Sequence, residues 1–195
     1  MKKMIYISMI GLSLTGLAAC GSGKDSKEKA DSVNTNQDSL HNKNTGTGDW
    51  AISAPDAKFA VDAANGGMAE VVLGKLAQSN AGSDEVRKFG TMMIHDHSKA
   101  NIELKELADK KRIVLPDSIG DEEKKLQQEL AGKKGAAFDK AYVDAMVEDH
   151  KKDIADFEEA SGKVKYPEMK QLIDKAIPML KMHLTEIEKI QQKMK

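Results

Sequence analysis

The sequence is short of several things that would commit it to a particular class. It has one cysteine, Cys20, so no disulfide can form within the chain. Aromatic residues make up only 4% of it, against 11 methionines, a balance that suits a helical core and disfavours a β-sandwich. Thirty basic residues face thirty-one acidic ones, which leaves no basic surplus and excludes nucleic acid as a partner. Long apolar runs are missing too. The longest, Met4 to Leu17, covers 14 residues, whereas a spanning helix needs about 20. No serine or cysteine sits in a nucleophile setting with a histidine, so no catalytic residue is assigned. Asn65-Gly66-Gly67 lies inside a helical pattern, where small residues permit close packing and do not form a phosphate loop.

What is present begins with the N-terminus. Lys2 and Lys3, the apolar run and the small residues before Cys20 form a signal-peptide pattern over residues 1–19. Leu17-Ala18-Ala19-Cys20 resembles the bacterial lipobox, which implies cleavage before Cys20 and lipid attachment to it. The competing reading is an ordinary secretory signal with an incidental cysteine. The lipobox reading makes the chain an envelope lipoprotein, held at the outer membrane through lipid on Cys20. Residues 20–54 are rich in Gly, Ser, Asn, Asp, Lys and Thr and carry no apolar period. They read as a disordered tether, removable without loss of stability, to which Trp50 and Ile52 are the exceptions that could dock on the domain.

From residue 55 to residue 195 apolar residues recur at steps of three and four, never two. The first long helix is expected over Asp56–Ser79, behind Pro55. The second is capped by Ser83, carries Asp84 and Glu85 in its first turn, and runs to about Lys111. Pro116 ends that stretch, and a short helix follows over Ile119–Ala131. The third long helix spans Ala136–Ala160 and should stop at Ser161-Gly162. The fourth starts at Pro167, a favoured first-turn position, with Pro178 expected to kink it. These elements predict an all-α, antiparallel four-helix bundle with a short extra helix in the connection between the second and third long helices.

The stripes show where the polar residues point. The second long helix buries Val86, Phe89, Met93, His97, Ala100, Leu104 and Leu107, so His97 faces the core and His95 faces away. The third buries Val143, Met146, Val147, His150, Ile154 and Phe157. The fourth buries Leu172, Ala176, Leu180, His183, Ile187 and Ile190. The first contributes Phe59, Ala63, Gly67, Glu70, Leu73 and Ala77. Each long helix thus sets one metal-competent residue on its apolar face. Counted from Ala81, Glu70 is eleven residues back and His97 sixteen forward, a height mismatch of about 7–8 Å. Side chains leaning toward their own N-termini narrow it. Glu70, His97, His150 and His183 are therefore the candidate ligands of one divalent transition metal ion, zinc, iron or copper. Asp149, Asp153 and Glu186 adjoin the stripes as candidates to hold the ligands from behind, and Asp96 reads as a boundary carboxylate. The competing reading is a buried Glu–His hydrogen-bond network that fixes helix register.

The segments FAVDAANGGMAEVVLGKLA, VRKFGTMMIHDHSKAN, GAAFDKAYVDAMVEDHKKD and IPMLKMHL resemble the bacterial envelope family known as domain of unknown function 4142, over roughly residues 56 to 193. The resemblance implies a ferritin-like bundle in a secreted or membrane-attached protein, and no particular reaction. Ferritin-like metal oxidation uses Glu-x-x-His pairs, and no long helix here has one. Helix four reverses the order as His183 and Glu186, and helix three pairs His150 with Asp153. Three readings follow: an envelope lipoprotein of unknown role with a core metal site, a ferritin-like metalloenzyme handling iron or oxidants, or a purely structural envelope protein. If Cys20 carries the anchor, Cys20→Ser moves the chain from the membrane fraction to the soluble fraction. A variant that stays membrane-bound after signal cleavage shows a second anchor.

Overall fold

Caps and breakers set the helix ends. In a computed structural model that describes residues 23–44 and 53–194, six helices follow in order: α1 (Ser26–Asn44), α2 (Ala54–Asn80), α3 (Asp84–Lys111), α4 (Asp121–Ala131), α5 (Gly135–Lys163) and α6 (Pro167–Lys193). Ser53 accepts a hydrogen bond from the Asp56 N–H to open α2, and Ser83 accepts from the Glu85 N–H to open α3. Arg112 closes α3 in the left-handed conformation, at φ 58°. No β-strand occurs among the described residues. The signal peptide, Cys20, Trp50 and Ile52 lie outside them.

The four long helices close a ring: α2 packs on α3 and α5, and α6 packs on α3 and α5. Neighbours run in opposite directions. Between α3 and α6, Asp96 meets His183 and Glu103 meets Lys175; between α5 and α6, Lys151 meets Glu188 and Glu158 meets Lys181. Consequently α3 and α5 are parallel and sit across the ring from each other. The chain between them has to traverse the bundle, and α4 is carried on that crossover, against α2 and α5. The Asp139 carboxylate of α5 fastens the α2–α3 turn by accepting from the Gly82 and Ser83 N–H groups at 3.0 and 2.8 Å.

Helix α2 is enclosed on several sides, by α1, α3, α4 and α5. That is why its buried positions are mostly small and lie around much of its circumference, among them Ala57, Ala60, Ala64, Ala69, Gly74 and Ala77. The single stripe expected for it is therefore too narrow: Phe59 and Ala63 are only half-buried. Gly74 and Gly90 make the α2–α3 contact close. A Cβ on Gly90 would lie 2.8 Å from both the Ala77 Cβ and the Gly74 carbonyl oxygen.

The core divides in two. Near the α2–α3 turn, Leu73, Val86, Phe89, Met93, Phe138, Tyr142, Met146 and Ile187 pack together. At the other end Ala60, Leu104, Leu107, Ile113, Met169 and Ile173 do so. Along every long helix the polar residue singled out above falls between these two clusters.

Two further expectations need correction. Helix α5 runs through Ser161-Gly162 to Lys163, because its last turn is held by the Val164 N–H donating to the Ala160 carbonyl at 2.9 Å. The tether expected over residues 20–54 contains α1, which docks. Its apolar contribution is small, with Ala30 buried, and polar anchoring does the rest. Asn34 donates from Nδ2 to the Val114 carbonyl at 2.9 Å and accepts from the Val114 N–H at 2.8 Å. Ser26 accepts from the Asp117 N–H, and Asp25 from the Asp121 N–H, both at 2.9 Å. A composition-based reading misses such a helix, since its contacts are made by the residues that signal disorder. Truncation by Asn34→Ala strands both Val114 groups and should destabilise the protein by about 1–3 kcal/mol in denaturant unfolding. A neutral effect would restore the tether reading.

Candidate metal centre

Glu70, His97, His150 and His183 meet in the layer between the two apolar clusters, and their side chains are between 0 and 4% exposed. The height mismatch counted from sequence closes as the leaning argument requires. His97 Nδ1 lies 2.6 Å from Glu70 Oε2, and His150 Nε2 lies 3.5 Å from Glu70 Oε1. His97 Nε2 and His183 Nδ1 are 3.4 Å apart. Phe89 presses on the rings of His150 and His183 edge-on, with centroids 6.1 and 6.4 Å away.

Each imidazole is held from behind through one nitrogen. His183 donates from Nε2 to Asp96 Oδ2 at 2.9 Å. His150 donates from Nδ1 to the Met146 carbonyl, one helical turn back, at 3.0 Å. His97 Nδ1 faces the Glu70 carboxyl. The remaining nitrogens, His97 Nε2, His183 Nδ1 and His150 Nε2, therefore turn toward one another. The three histidines form one set whose ligand atoms all lie within 4.8 Å, and Glu70, Asp149 and His150 form a second. Two nitrogens bound to one zinc or copper ion at about 2.0–2.1 Å lie about 3.3–3.5 Å apart, the spacing seen between His97 and His183.

Burial sets the protonation. It pushes the Glu70 carboxyl up to about 8 and the His97 and His150 imidazoles down to about 4 and about 3. Burial also lowers His183 against the opposing pull of Asp96. Asp149 and Asp153 are raised, first by burial and then by the charge of Glu70. At Asp96 burial acts upward, but hydrogen bonds from His95 and His183 outweigh it and hold the carboxyl below its usual range. One ladder satisfies these directions in the metal-free chain. Ionised Asp96 accepts from His183 Nε2, His183 Nδ1 accepts from His97 Nε2, and His97 Nδ1 accepts from protonated Glu70. That ladder leaves Glu70 Oε1 and His150 Nε2 facing each other with no hydrogen-bond partner. Two buried lone pairs at 3.5 Å repel unless a proton or a metal cation joins them, and in this ladder the Glu70 proton is already shared with His97.

The other candidates divide. Asp149 and Asp153 line a cavity of about 600 Å³ that reaches Glu70 and His97, with Asn101 and Gly67 beside them. Glu186 does not join the cluster. Its carboxylate is 45% exposed and pairs with Lys189 at 2.6 Å, because three residues beyond His183 the helix has turned toward solvent. Asp96, set aside as a boundary residue, is the partner of His183. One position before His97 it points about 100° off the stripe, which on α3 is toward α6. Nothing on α3 alone could show that; the register of α6 decides it. His95 is 78% exposed and pairs with Asp96.

Fold and site together define an all-helical bundle with a buried His/Glu cluster of metal-ligand geometry. The chain belongs to the family described as Domain of unknown function (DUF4142), which matches residues 42–190. Among solved structures it is similar to "CopM in the Cu(I)-bound form", at a TM-score of 0.60 and 18% identity, covering 71% of this chain and 96% of that one. At that identity the likeness is one of fold. No curated protein matches the sequence.

The buried groups give the metal-free protein a pH signature. Glu70, held above its unfolded value of about 4.3, keeps in the folded chain a proton that the unfolded chain has released, so its contribution is lost as pH rises through about 8. His97 and His150, held below about 6.5, contribute stability that is lost as pH falls toward their folded values. Asp149 and Asp153, raised to about 7 and about 8, act in the same direction as Glu70, so melting temperature should fall between about pH 6.5 and 8.5. Glu70→Gln should make the alkaline limb shallower, with Asp149 and Asp153 accounting for what is left. An unchanged limb would place the titrating group elsewhere.

Proposed function

We propose that this protein is an envelope metal-binding bundle that holds a single copper ion on His97 Nε2, His183 Nδ1 and His150 Nε2. One observation carries the reading: each imidazole is fixed through its other nitrogen, by Glu70, by Asp96 and by the Met146 carbonyl, so that three ring nitrogens converge. Metal-binding histidines are oriented in this way, and acceptors behind them raise their basicity. Loading would pass the Glu70 proton to His97 Nδ1, which then donates to the Glu70 carboxylate, and release the proton of His97 Nε2, so one proton would leave for each ion held. Three imidazoles suit zinc, iron or copper, and copper stands at the top of the affinity order for such donors. That the fold is shared with a protein described as binding Cu(I) agrees with the choice. The single crossover between parallel α3 and α5 supports a ferritin-like assignment. The lipobox pattern at Cys20 supports anchoring by lipid, and no described helix is long and apolar enough to cross a membrane.

A full chain prepared without an affinity tag should bind copper at one ion per protein. Copper at 100 times its Kd stabilises the folded state by about 2.7 kcal/mol, seen as a rise of several degrees in melting temperature. His97→Leu should abolish the rise and His95→Leu should keep it. Loss in neither, or equal loss in both, would remove the imidazole site. If His97→Leu instead destabilises by about 1–3 kcal/mol and copper has no effect on either chain, the cluster is a structural hydrogen-bond network.

A further inference from the structure

We infer that Glu70 Oε1, Asp149 and His150 Nε2 form a second, outer cation position, from which an ion passes to the three-imidazole position by way of His150. The inference rests on the imidazole reading above and adds the route by which that site fills.

The three outer ligand atoms lie within 4.8 Å of one another. Two of them, Glu70 Oε1 and His150 Nε2, belong to residues that are at most 2% exposed, and they are the orphaned pair 3.5 Å apart. The hydrogen-bond ladder accounts for every other nitrogen and oxygen between Asp96 and Glu70, but not for these. An ion between them, completed by an Asp149 oxygen, satisfies both. The outer position offers two carboxylates and one nitrogen, the inner one three nitrogens. Copper prefers the second set, so the gradient of affinity runs inward.

Access runs the same way. His150 and His183 have no exposed surface. The cavity reaches the layer at Glu70, His97, Asp149 and Asp153, with Glu123 and Asp156 farther along its wall, and neither His150 nor His183 lines it. A cation entering there finds more carboxyl groups than ammonium groups, since acidic side chains outnumber the four lysines of the lining. His150 Nδ1 is committed to the Met146 carbonyl, so the residue has one nitrogen to give. Both positions need that nitrogen, so they cannot be filled together with full ligation. They are alternative seats of one ion, and His150 Nε2 can stay bound while Glu70 and Asp149 are exchanged for His97 and His183.

The test mixes the metal-free full chain with copper(II) in a stopped-flow spectrometer and follows the absorbance of imidazole-bound copper. Asp149→Asn should slow loading by about 10-fold or more, while leaving the final spectrum and the one-to-one stoichiometry as they are. Asp149→Glu, which keeps the carboxylate, should load at the unmodified rate. Loading of Asp149→Asn at that rate overturns the inference, as does binding of a second equivalent that Asp149→Asn abolishes. Should Asp149→Asn also alter the metal-free melting curve, Asp149→Glu decides: unmodified loading supports the outer position and slow loading overturns it. If the unmodified chain takes up no copper, or His97→Leu takes it up normally, it is the imidazole reading that fails.

Discussion

A carboxyl and three imidazoles sealed in one layer, with apolar packing above and below, are the constraint on which the rest of the bundle depends. Each such group buried without a partner costs several kcal/mol in an apolar setting. The layer is tolerable only if all four helices bring their residue to the same height and each group finds its neighbour. A slip of one helical turn in α6 would carry His183 away from Asp96 and set Leu180 or Ile187 against a charged carboxylate. The layer thus fixes register, a role that the interchangeable contacts of the two apolar clusters perform weakly. The small residues of α2 serve the same end. Gly74 opposite Gly90 brings α2 against α3, and only at that separation does Glu70, a medium-length side chain, reach His97.

Residues whose direction follows from their own helix were legible in the sequence; those whose role depends on a neighbour were not. His97, His150 and His183 fall on apolar stripes at steps of three and four, which is enough to bury them. Glu70 was found because a lone carboxylate in a small-residue stripe has to meet something. Their division into two overlapping ligand sets was not legible, because it depends on which ring nitrogen faces which atom. Asp96 was lost for the same reason, and Glu186 was included on spacing that only looked favourable. The α1 helix is a different failure. Its docking is bought with Asn34, Ser26 and Asp25 reaching backbone groups of the crossover, and no periodicity records such bonds.

The bundle also shows why a hydrogen-bond network and a metal site are hard to tell apart from a residue list. The same histidines, with the same acceptors behind them, suit either. What separates the two is whether the network closes. Here it closes from Asp96 to Glu70 Oε2 and stops. Glu70 Oε1 and His150 Nε2 are then acceptors facing each other, and moving the Glu70 proton to Oε1 joins them only by opening the ladder between His97 Nε2 and His183 Nδ1 instead. Moving the His150 proton to Nε2 would satisfy Glu70 but strand Nδ1 against a carbonyl, trading one repulsion for another.

That residual mismatch is local, and its position is informative. It lies on the side of the layer that the cavity reaches, whereas the imidazole face away from the cavity is shielded by Phe89 and fully enclosed. A site built only for stability would place its weakest pairing where water could relieve it or would remove the polar atoms altogether. A site closed on every side would hold an ion but admit none at a useful rate. The arrangement here joins an enclosed nitrogen set to a carboxylate set open to the cavity, through one histidine nitrogen common to both. On the two-position reading proposed above, Phe89 and the inner imidazoles would govern retention and Asp149 access, while Glu70 and His150 belong to both and tie the two together.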